Sequence, residues 1–412
     1  MRVMRSLVWV VLGGCSSTPD TKPEGDGVSG VADTGGGDDA LSDEALLRAA
    51  IDGAADPAET LQTIANQGGF PIESASGTFL FACLCGEGDW SVAGDFDDWS
   101  GEPMSRVGAL SWLERSVPEP YEAAYKFTDG TDWFADPLAR RYAYDTFGEK
   151  SLLRSLEPHL ERGFVVESHG LEARELRIFV PRDGFFTHTI VAHDGQNLFD
   201  PAAFHGGWQL DSAAWDLPLL VVGIDNTSAR VDEYTPFEDV IDGQTVGGAA
   251  VAYAELVRDV RVAMEDRYGI ANRTALLGSS LGGLASLAVA DLQPAEWDAA
   301  LSLSGTMGWG SIGQNGQTII DVYAAAGHRS TALYLDSGGG GSCVDADGDG
   351  LQDDAPDGAD NYCENRQLAD QLAESGYSWS VDLWHWHEPG APHTEASWAA
   401  RVHRPLEVFM AL

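Results

Sequence analysis

From about residue 165 onward the chain repeats one pattern: a short apolar run ending in a small or polar residue, then a stretch of helical composition. The runs are ELRIFVP, HTIVAHDG, LPLLVVGIDN, RTALLGSS, AALSLSG and TALYLDSG, and YAELVRDVRVAMEDRYG is a helical stretch between two of them. Apolar strands alternating with helices predict an α/β fold, a largely parallel, doubly wound sheet with helices on both faces. In such a sheet functional side chains gather at the carboxyl ends of the strands. One of these ends reads Gly278-Ser279-Ser280-Leu281-Gly282-Gly283, preceded by the strand-like TALL and followed by LASLAVADL, which has helical composition. This is G-x-S-x-G in the strand, turn and helix context that gives it meaning. Its glycines permit a turn tight enough to lift Ser280 above the sheet as a nucleophile, and Leu281 can offer its N–H to an oxyanion.

A serine hydroxyl is a weak nucleophile and needs a base, normally a histidine late in the chain. Of ten histidines, His393 lies in GAPHTEASW, a loop after the strand-like SWSVDLWHW and before a closing helix. His385 and His387 alternate along that strand and read as packing or rim residues. Two further stretches, HDGQNLFD (His193 to Asp200) with GGWQLD after it, and the G-x-x-H-x-E-x-x-W segment around His393, resemble the esterase-D-like α/β-hydrolases. That family includes enterochelin esterases, feruloyl esterases and bacterial mycolyltransferases. The resemblance covers roughly residues 165–412 and implies an α/β-hydrolase domain over 155–412 with serine esterase activity, no cofactor for catalysis, and a second oxyanion N–H from Gln196. It also exposes a gap. Relatives carry the orienting carboxylate a few residues past the strand, where this chain has Gly341. Asp336, Asp360 or an aspartate of the following insert such as Asp345 can orient His393, or Ser280 and His393 can work as a dyad; Asp336 is placed first and Asp360 second. His193 and Asp194 read as a hydrogen-bonded brace of their loop.

Ahead of this body, residues 42–66 carry Leu, Ala and Ile at helical spacing behind a Ser42 cap. They predict a helical pair split near Pro57, in a helical segment 46–70. From Gly77 to Asp145 the texture becomes short alternating runs (TFLFACLC, WSVAGDFDDWS, LSWLERSV, YEAAYKFTDG) broken by Gly, Asp and Pro. That spacing predicts a small all-β sandwich over 71–150. WSVAGDFDDWS with YKFTDGTDWFADPLARRY resembles the immunoglobulin-like early-set domain that precedes the hydrolase in enterochelin-esterase-like proteins and is related to glycogen-binding modules. Trp90, Trp99, Trp112 and Trp133 read either as a sugar-stacking platform or as packing, and a small sandwich's need for aromatic area favours packing.

With 65 acidic against 24 basic residues, a formal net charge of −41, the chain is not built to neutralise phosphates, which excludes nucleic acid as a partner. The charge is concentrated. Residues 16–45 are rich in Gly, Asp, Ser and Thr without apolar periodicity and predict a flexible acidic linker. A second block, 343–364, holds eight carboxylates and no basic residue. Within it Asp345, Asp347, Asp349, the Leu351 carbonyl and Asp353 set hard oxygens at alternate positions around two glycines, as Ca²⁺ requires. The block resembles the calcium loops of thrombospondin type 3 repeats. Pro356 stands where an EF-hand would have its bidentate Glu, so Asp357 or a water must complete a structural Ca²⁺ site.

The first fifteen residues, MRVMRSLVWVVLGGC, put two arginines before a short apolar run and small residues before Cys15, the layout of an export signal. Leu12-Gly13-Gly14-Cys15 resembles a bacterial lipobox, which implies cleavage before Cys15, its lipidation, and a mature protein anchored to the cell envelope, with the outer membrane favoured. Disulfides persist in such a compartment. Cys343 and Cys363 bracket the acidic block and are the favoured pair; Cys83 and Cys85 would share a face of one strand, paired or free. The whole reading is an extracytoplasmic serine esterase acting on a small-molecule or polysaccharide ester of siderophore, feruloyl or acetyl type. Two rivals stay open: an acyltransferase on the same scaffold, and a non-catalytic glycan-binding surface lipoprotein.

Overall fold

The computed structural model describes residues 41–314, 316–355 and 359–412. Eight strands carry the C-terminal body: β1 (His159–Val166), β2 (Arg174–Val180), β3 (His188–His193), β4 (Leu219–Ile224), β5 (Arg273–Ser279), β6 (Ala299–Leu303), β7 (Ala332–Ser337) and β8 (Leu383–His387). They lie in the order β1-β2-β4-β3-β5-β6-β7-β8, antiparallel across β1, β2 and β4 and parallel from β4 to β8. This is the doubly wound α/β-hydrolase sheet that the alternation of strands and helices predicts.

The central strands are apolar throughout because both of their faces are covered. Successive side chains point to opposite faces. Ile190, Ala192, Ala275, Leu277, Ala299 and Leu301 therefore pack on one side with Leu210, Trp398, Val402, Leu406 and Phe409. Val191, Leu276 and Ala300 pack on the other with the helices Ala250–Tyr268, Leu281–Leu292, Ile319–Ala326 and Tyr362–Glu374. The chain leaves β3 towards one face, through the helix Leu210–Ala214, and leaves β5 towards the opposite face, through Leu281–Leu292. Such a reversal opens a crevice at the carboxyl ends of the two strands. Gln196 follows β3 and Ser280 follows β5, so the crevice lies between them.

The N-terminal half begins with the helices Asp43–Ile51 and Pro57–Asn66, capped by Ser42 and Asp56, whose side chains accept the Ala45 and Glu59 amides. A four-stranded sheet that includes Thr78–Cys83 and Leu110–Ser116 faces a second group of strands that includes Ser91–Gly94, Ala124–Thr128, Arg141–Asp145 and Gly148–Leu152. Phe79, Phe81, Leu113, Tyr125 and Phe127 fill the space between them. Leu160 and Glu161 of β1 pair with Tyr142 and Arg141, so this second group continues the hydrolase sheet, which reaches fourteen strands. Backbone pairing between edge strands leaves no signature in side-chain pattern, and nothing in the alternation announces that continuity. Trp90 and Trp112 pack against the two small cores, while Trp99 and Trp133 lie together with ring centroids 6.2 Å apart. Among the described residues no helix is long and apolar enough to cross a membrane. The export signal, Cys15 and all but the last five residues of the predicted linker lie outside the described residues.

Candidate active site

Ser280 occupies the residue between β5 and the helix Leu281–Leu292 with φ 55° and ψ −124°. A non-glycine residue held there costs about 1–3 kcal/mol and persists only where its surroundings enforce it. The enforcement is close packing. A Cβ on Gly278 would run into the Gly282 carbonyl, and one on Gly283 would meet the Cα of Gly305 at 3.0 Å. The amide of Ser280 donates to the Leu303 carbonyl (3.0 Å), tying the elbow to the end of β6. Leu281 is the first residue of the helix, so its N–H has no intrahelical acceptor and is free to serve a ligand.

Gln196 stands in a short 3₁₀ turn after β3 that begins at Asp194, itself left-handed with φ 58°. The turn is braced from several sides. Both oxygens of Asp194 accept from Arg230 (2.7 and 2.8 Å), Asn226 Nδ2 donates to it (2.5 Å), and the Asp194 amide donates to the Tyr234 hydroxyl (3.1 Å). Burial would raise the Asp194 pKa, but the Arg230 guanidinium outweighs it and holds the carboxyl below its usual range. His193 Nδ1 meets the Tyr253 hydroxyl at 2.8 Å, and burial pushes this imidazole down to about 4, so it is neutral. The side-chain Oε1 of Gln196 accepts the Asn226 amide (3.1 Å). A Cβ on Gly282 would lie 3.2 Å from Asp194 Oδ2 and 3.3 Å from His193 Cβ, so the Gln196 turn and the Leu281 helix start are packed side by side. His193 and Asp194 act here as a loop brace.

His393 lies in the loop after β8, which is tied to the end of β7 by Glu388 N to Ser337 O (2.9 Å) and Gly339 N to Ala391 O (2.8 Å). Its Nδ1 is 2.5 Å from Asp360 Oδ1. The edge of the Trp398 ring packs against the imidazole at 5.0 Å between centroids. Asp360 is fully buried; its Oδ2 accepts from Ser304 Oγ (2.8 Å), the Gly338 amide (2.5 Å) and Arg401 Nη2 (3.3 Å). The first-placed acid, Asp336, is elsewhere engaged: Arg401 Nε donates to one oxygen (2.9 Å) and the Tyr334 hydroxyl to the other (3.2 Å). Burial raises Asp336 to about 6, against the pull of Arg401. The physical reason is register: Asp336 is still inside β7, paired with Leu303 and Trp386, and its side chain points to the interior face with Tyr334. The carboxylate that meets His393 is Asp360, placed second from sequence. Gly341 could not have carried it, since a Cβ there would lie 2.8 Å from Cys363 Sγ.

The acidic insert is closed by a Cys343–Cys363 disulfide, and a second bridge joins Cys83 to Cys85. One carboxylate oxygen each from Asp345, Asp347 and Asp349 lies within 4.8 Å of the others, a set of hard oxygens that could hold a metal ion. Asp345 also accepts the Gly348 and Gly350 amides (2.7 and 3.1 Å), and Asp353 accepts that of Ala346 (2.9 Å), which wraps the loop around these side chains. The Leu351 side chain is buried in the main core, anchoring the loop to the body. Asp357 lies outside the described residues. His387 stacks on Tyr362 at 3.7 Å and its Nε2 faces the Gly339 carbonyl at 3.1 Å, with His385 in the same stack at 6.2 Å from Tyr362, so both pack.

Sequence reasoning missed Arg401, Ser304 and Arg230. Ser304 Oγ receives Trp398 Nε1 (3.1 Å) and Arg401 Nη2 (2.6 Å) behind Asp360. The one available signal was an arginine inside the apolar run that closes the chain, for Arg401 is only 2% exposed.

Residues 172–406 match the family model described as "Putative esterase". A search of curated proteins gives no match. Among solved structures, the enterobactin esterase from Shigella flexneri superposes with a TM-score of 0.45 at 15% identity, over 81% of this chain and 93% of that one. An IroE-like serine hydrolase from Shewanella oneidensis gives 0.47 at 19% over 62% and 80%. The siderophore hydrolase EstA from Aspergillus nidulans gives 0.44 at 16% over 61% and 95%.

Proposed function

Because the chain belongs to this esterase family and is a carboxylic ester hydrolase, we propose that Ser280 is its nucleophile, His393 its general base and Asp360 the acid that orients His393. The observation that carries this is the 2.5 Å contact of His393 Nδ1 with Asp360, at the same sheet edge as the strained Ser280 elbow. With Nδ1–H donated to the carboxylate, Nε2 carries the lone pair that accepts the serine proton. Ser280 Oγ adds to the ester carbonyl as that proton moves to His393. The Gln196 and Leu281 amides hold the oxyanion, and His393 returns the proton to the departing alcohol. Water, deprotonated by the same imidazole, then releases the acid and regenerates Ser280. No step calls on a metal or an organic cofactor.

We propose a siderophore, feruloyl or acetyl ester, small or attached to polysaccharide, as the substrate. We place the protein in the cell envelope, lipidated at Cys15, a reading supported by two disulfides of the kind that persist outside the cytoplasm. Asp345, Asp347 and Asp349, with the Leu351 carbonyl, Asp353 and Asp357, would hold a structural Ca²⁺ that stiffens the insert. The non-catalytic rival rested on the absent acid at Gly341, and the Asp360 contact removes that support. Hydrolysis of p-nitrophenyl acetate by the wild type, lost in Ser280→Ala by a factor on the order of 10⁶, tests the assignment. Equal rates for the two proteins would overturn it.

A further inference from the structure

Asp360 reaches His393 by an unusual route. It is 22 residues from Gly338, whose amide it accepts at 2.5 Å, so the whole acidic insert is a loop whose two ends meet at the carboxylate. Ser304, the Gly338 amide and Arg401 grip the carboxylate, but the backbone that presents it to them belongs to the insert, whose returning half must be held in place. Two backbone contacts do part of this: Ala355 N to Gly340 O (2.8 Å) and Asp353 N to Val344 O (3.3 Å). Two side-chain devices add to this. The Cys343–Cys363 bridge closes the loop just beyond Asp360, with Cys363 fully buried and its sulfur packed against Gly341. The carboxylate of Asp354, nine residues earlier on the returning half, accepts the Cys363 amide at 2.7 Å and so caps the helix Tyr362–Glu374, whose own N-cap Asn361 supplies no side-chain cap. That helix start comes immediately after Asp360.

We propose that Cys343, Cys363 and Asp354 are positioning residues for Asp360, so that ester hydrolysis is conditional on a covalently closed insert. The inference rests on the assignment of Asp360 as the orienting acid. A positioned carboxylate raises kcat by holding His393 in the productive tautomer, while leaving substrate binding untouched. An insert free to drift by about 1 Å forfeits much of that gain.

The test compares wild type, Asp360→Asn, the double substitution Cys343→Ser/Cys363→Ser, and the three combined, using p-nitrophenyl acetate hydrolysis between pH 5 and 9. Circular dichroism confirms that each is folded. The double-serine protein is expected to lose about 100-fold in kcat with KM nearly unchanged. Adding Asp360→Asn to it should then cost less than in the wild-type background, because both act through one contact. Full additivity, or a loss carried by KM instead of kcat, would overturn the proposal by showing that the bridge acts on something other than Asp360. If the double-serine protein does not fold, Asp354→Ala with the bridge intact is read the same way, with a loss of about tenfold expected. The two levels separate cleanly. Should Asp360→Asn keep the wild-type rate, the acid assignment fails; should it cripple the enzyme while both the bridge and the cap variants run at wild-type rate, only the positioning inference fails.

Discussion

The serine side of the site and the acid side are held by different kinds of structure. Ser280, Leu281 and Gln196 stand on tight turns at the ends of β5 and β3, two adjacent strands, and their geometry is forced by backbone packed against glycine. The acid side is assembled from pieces far apart in sequence. Asp360 lies 33 residues before His393 and 41 before Arg401, and a disulfide loop intervenes between it and the strand that relatives use. The Ser280 elbow carries its own instructions, whereas an acid delivered by a loop needs outside clamps. The difference separates what a hydrolase fold supplies by itself from what this chain adds.

The sharpest way to break the comparison is to exchange the two candidate acids. Asp360→Asn removes the charge that His393 Nδ1 meets and is expected to lower kcat by about 10⁴-fold. Asp336→Asn keeps hydrogen-bonding capacity towards Arg401 and Tyr334 and should change kcat by less than about tenfold, within the range of a group that touches only the support. Rates on p-nitrophenyl acetate decide it: an Asp336→Asn loss as large as that of Asp360→Asn would return the orienting role to the strand.

On the serine side the corresponding clamp is ionic. Arg230→Leu would leave the buried Asp194 carboxylate unpaired beneath the Gln196 turn, and urea unfolding should show a loss of about 3–5 kcal/mol. An unchanged midpoint and slope would mean that Asn226 and Tyr234 suffice to hold the turn.

The same contrast explains how much of the molecule its sequence discloses. The strand and helix alternation is legible because each central strand is buried on both faces, and G-x-S-x-G is legible because Gly278, Ser280 and Gly283 are each required by contacts within a few residues or by the neighbouring strand. His393 follows from chain order. Asp360 does not stand out, because an aspartate in a run of eight acidic residues carries no mark of being the one that folds inward. Asp336 at a strand end is the more natural choice from one dimension, and only the register of β7 shows that its side chain faces Arg401. Arg401 and Arg230 are hard to pick out for a related reason: the role of each guanidinium is defined by a partner 65 or 36 residues away.

A smaller effect probes the serine side through pH. Burial depresses His193 to about 4, so folding binds its proton more weakly than the unfolded chain does, at about 6.5. Its contribution to stability is full above about pH 6.5 and is lost as pH falls towards 4, by up to ~3 kcal/mol. Asp336, raised to about 6, works in the opposite sense over the lower part of this window, so the comparison must be between proteins that share it. The difference in unfolding free energy between wild type and His193→Asn, which can keep a polar atom near Tyr253, should shrink from pH 7 to pH 4.5. A pH-independent difference would mean that the imidazole titrates normally where it sits.

The smallest expected effect belongs to the acid side, and it asks whether calcium is one of the clamps that side needs. Three carboxylates whose oxygens lie within 4.8 Å repel one another, and a divalent cation bound among them only in the folded chain stabilises it by mass action. With free Ca²⁺ at a hundredfold its dissociation constant the gain is about 2.7 kcal/mol, which for a body of this size shifts the melting temperature by roughly 3–5 °C. Thermal unfolding in EGTA against added Ca²⁺ should show that shift in the wild type, and Asp347→Ala/Asp349→Ala should melt at one temperature in both. If the insert is clamped by its disulfide alone, the wild type too will be indifferent to chelation. The acid side would then resemble the serine side more closely, held by contacts the chain makes with itself.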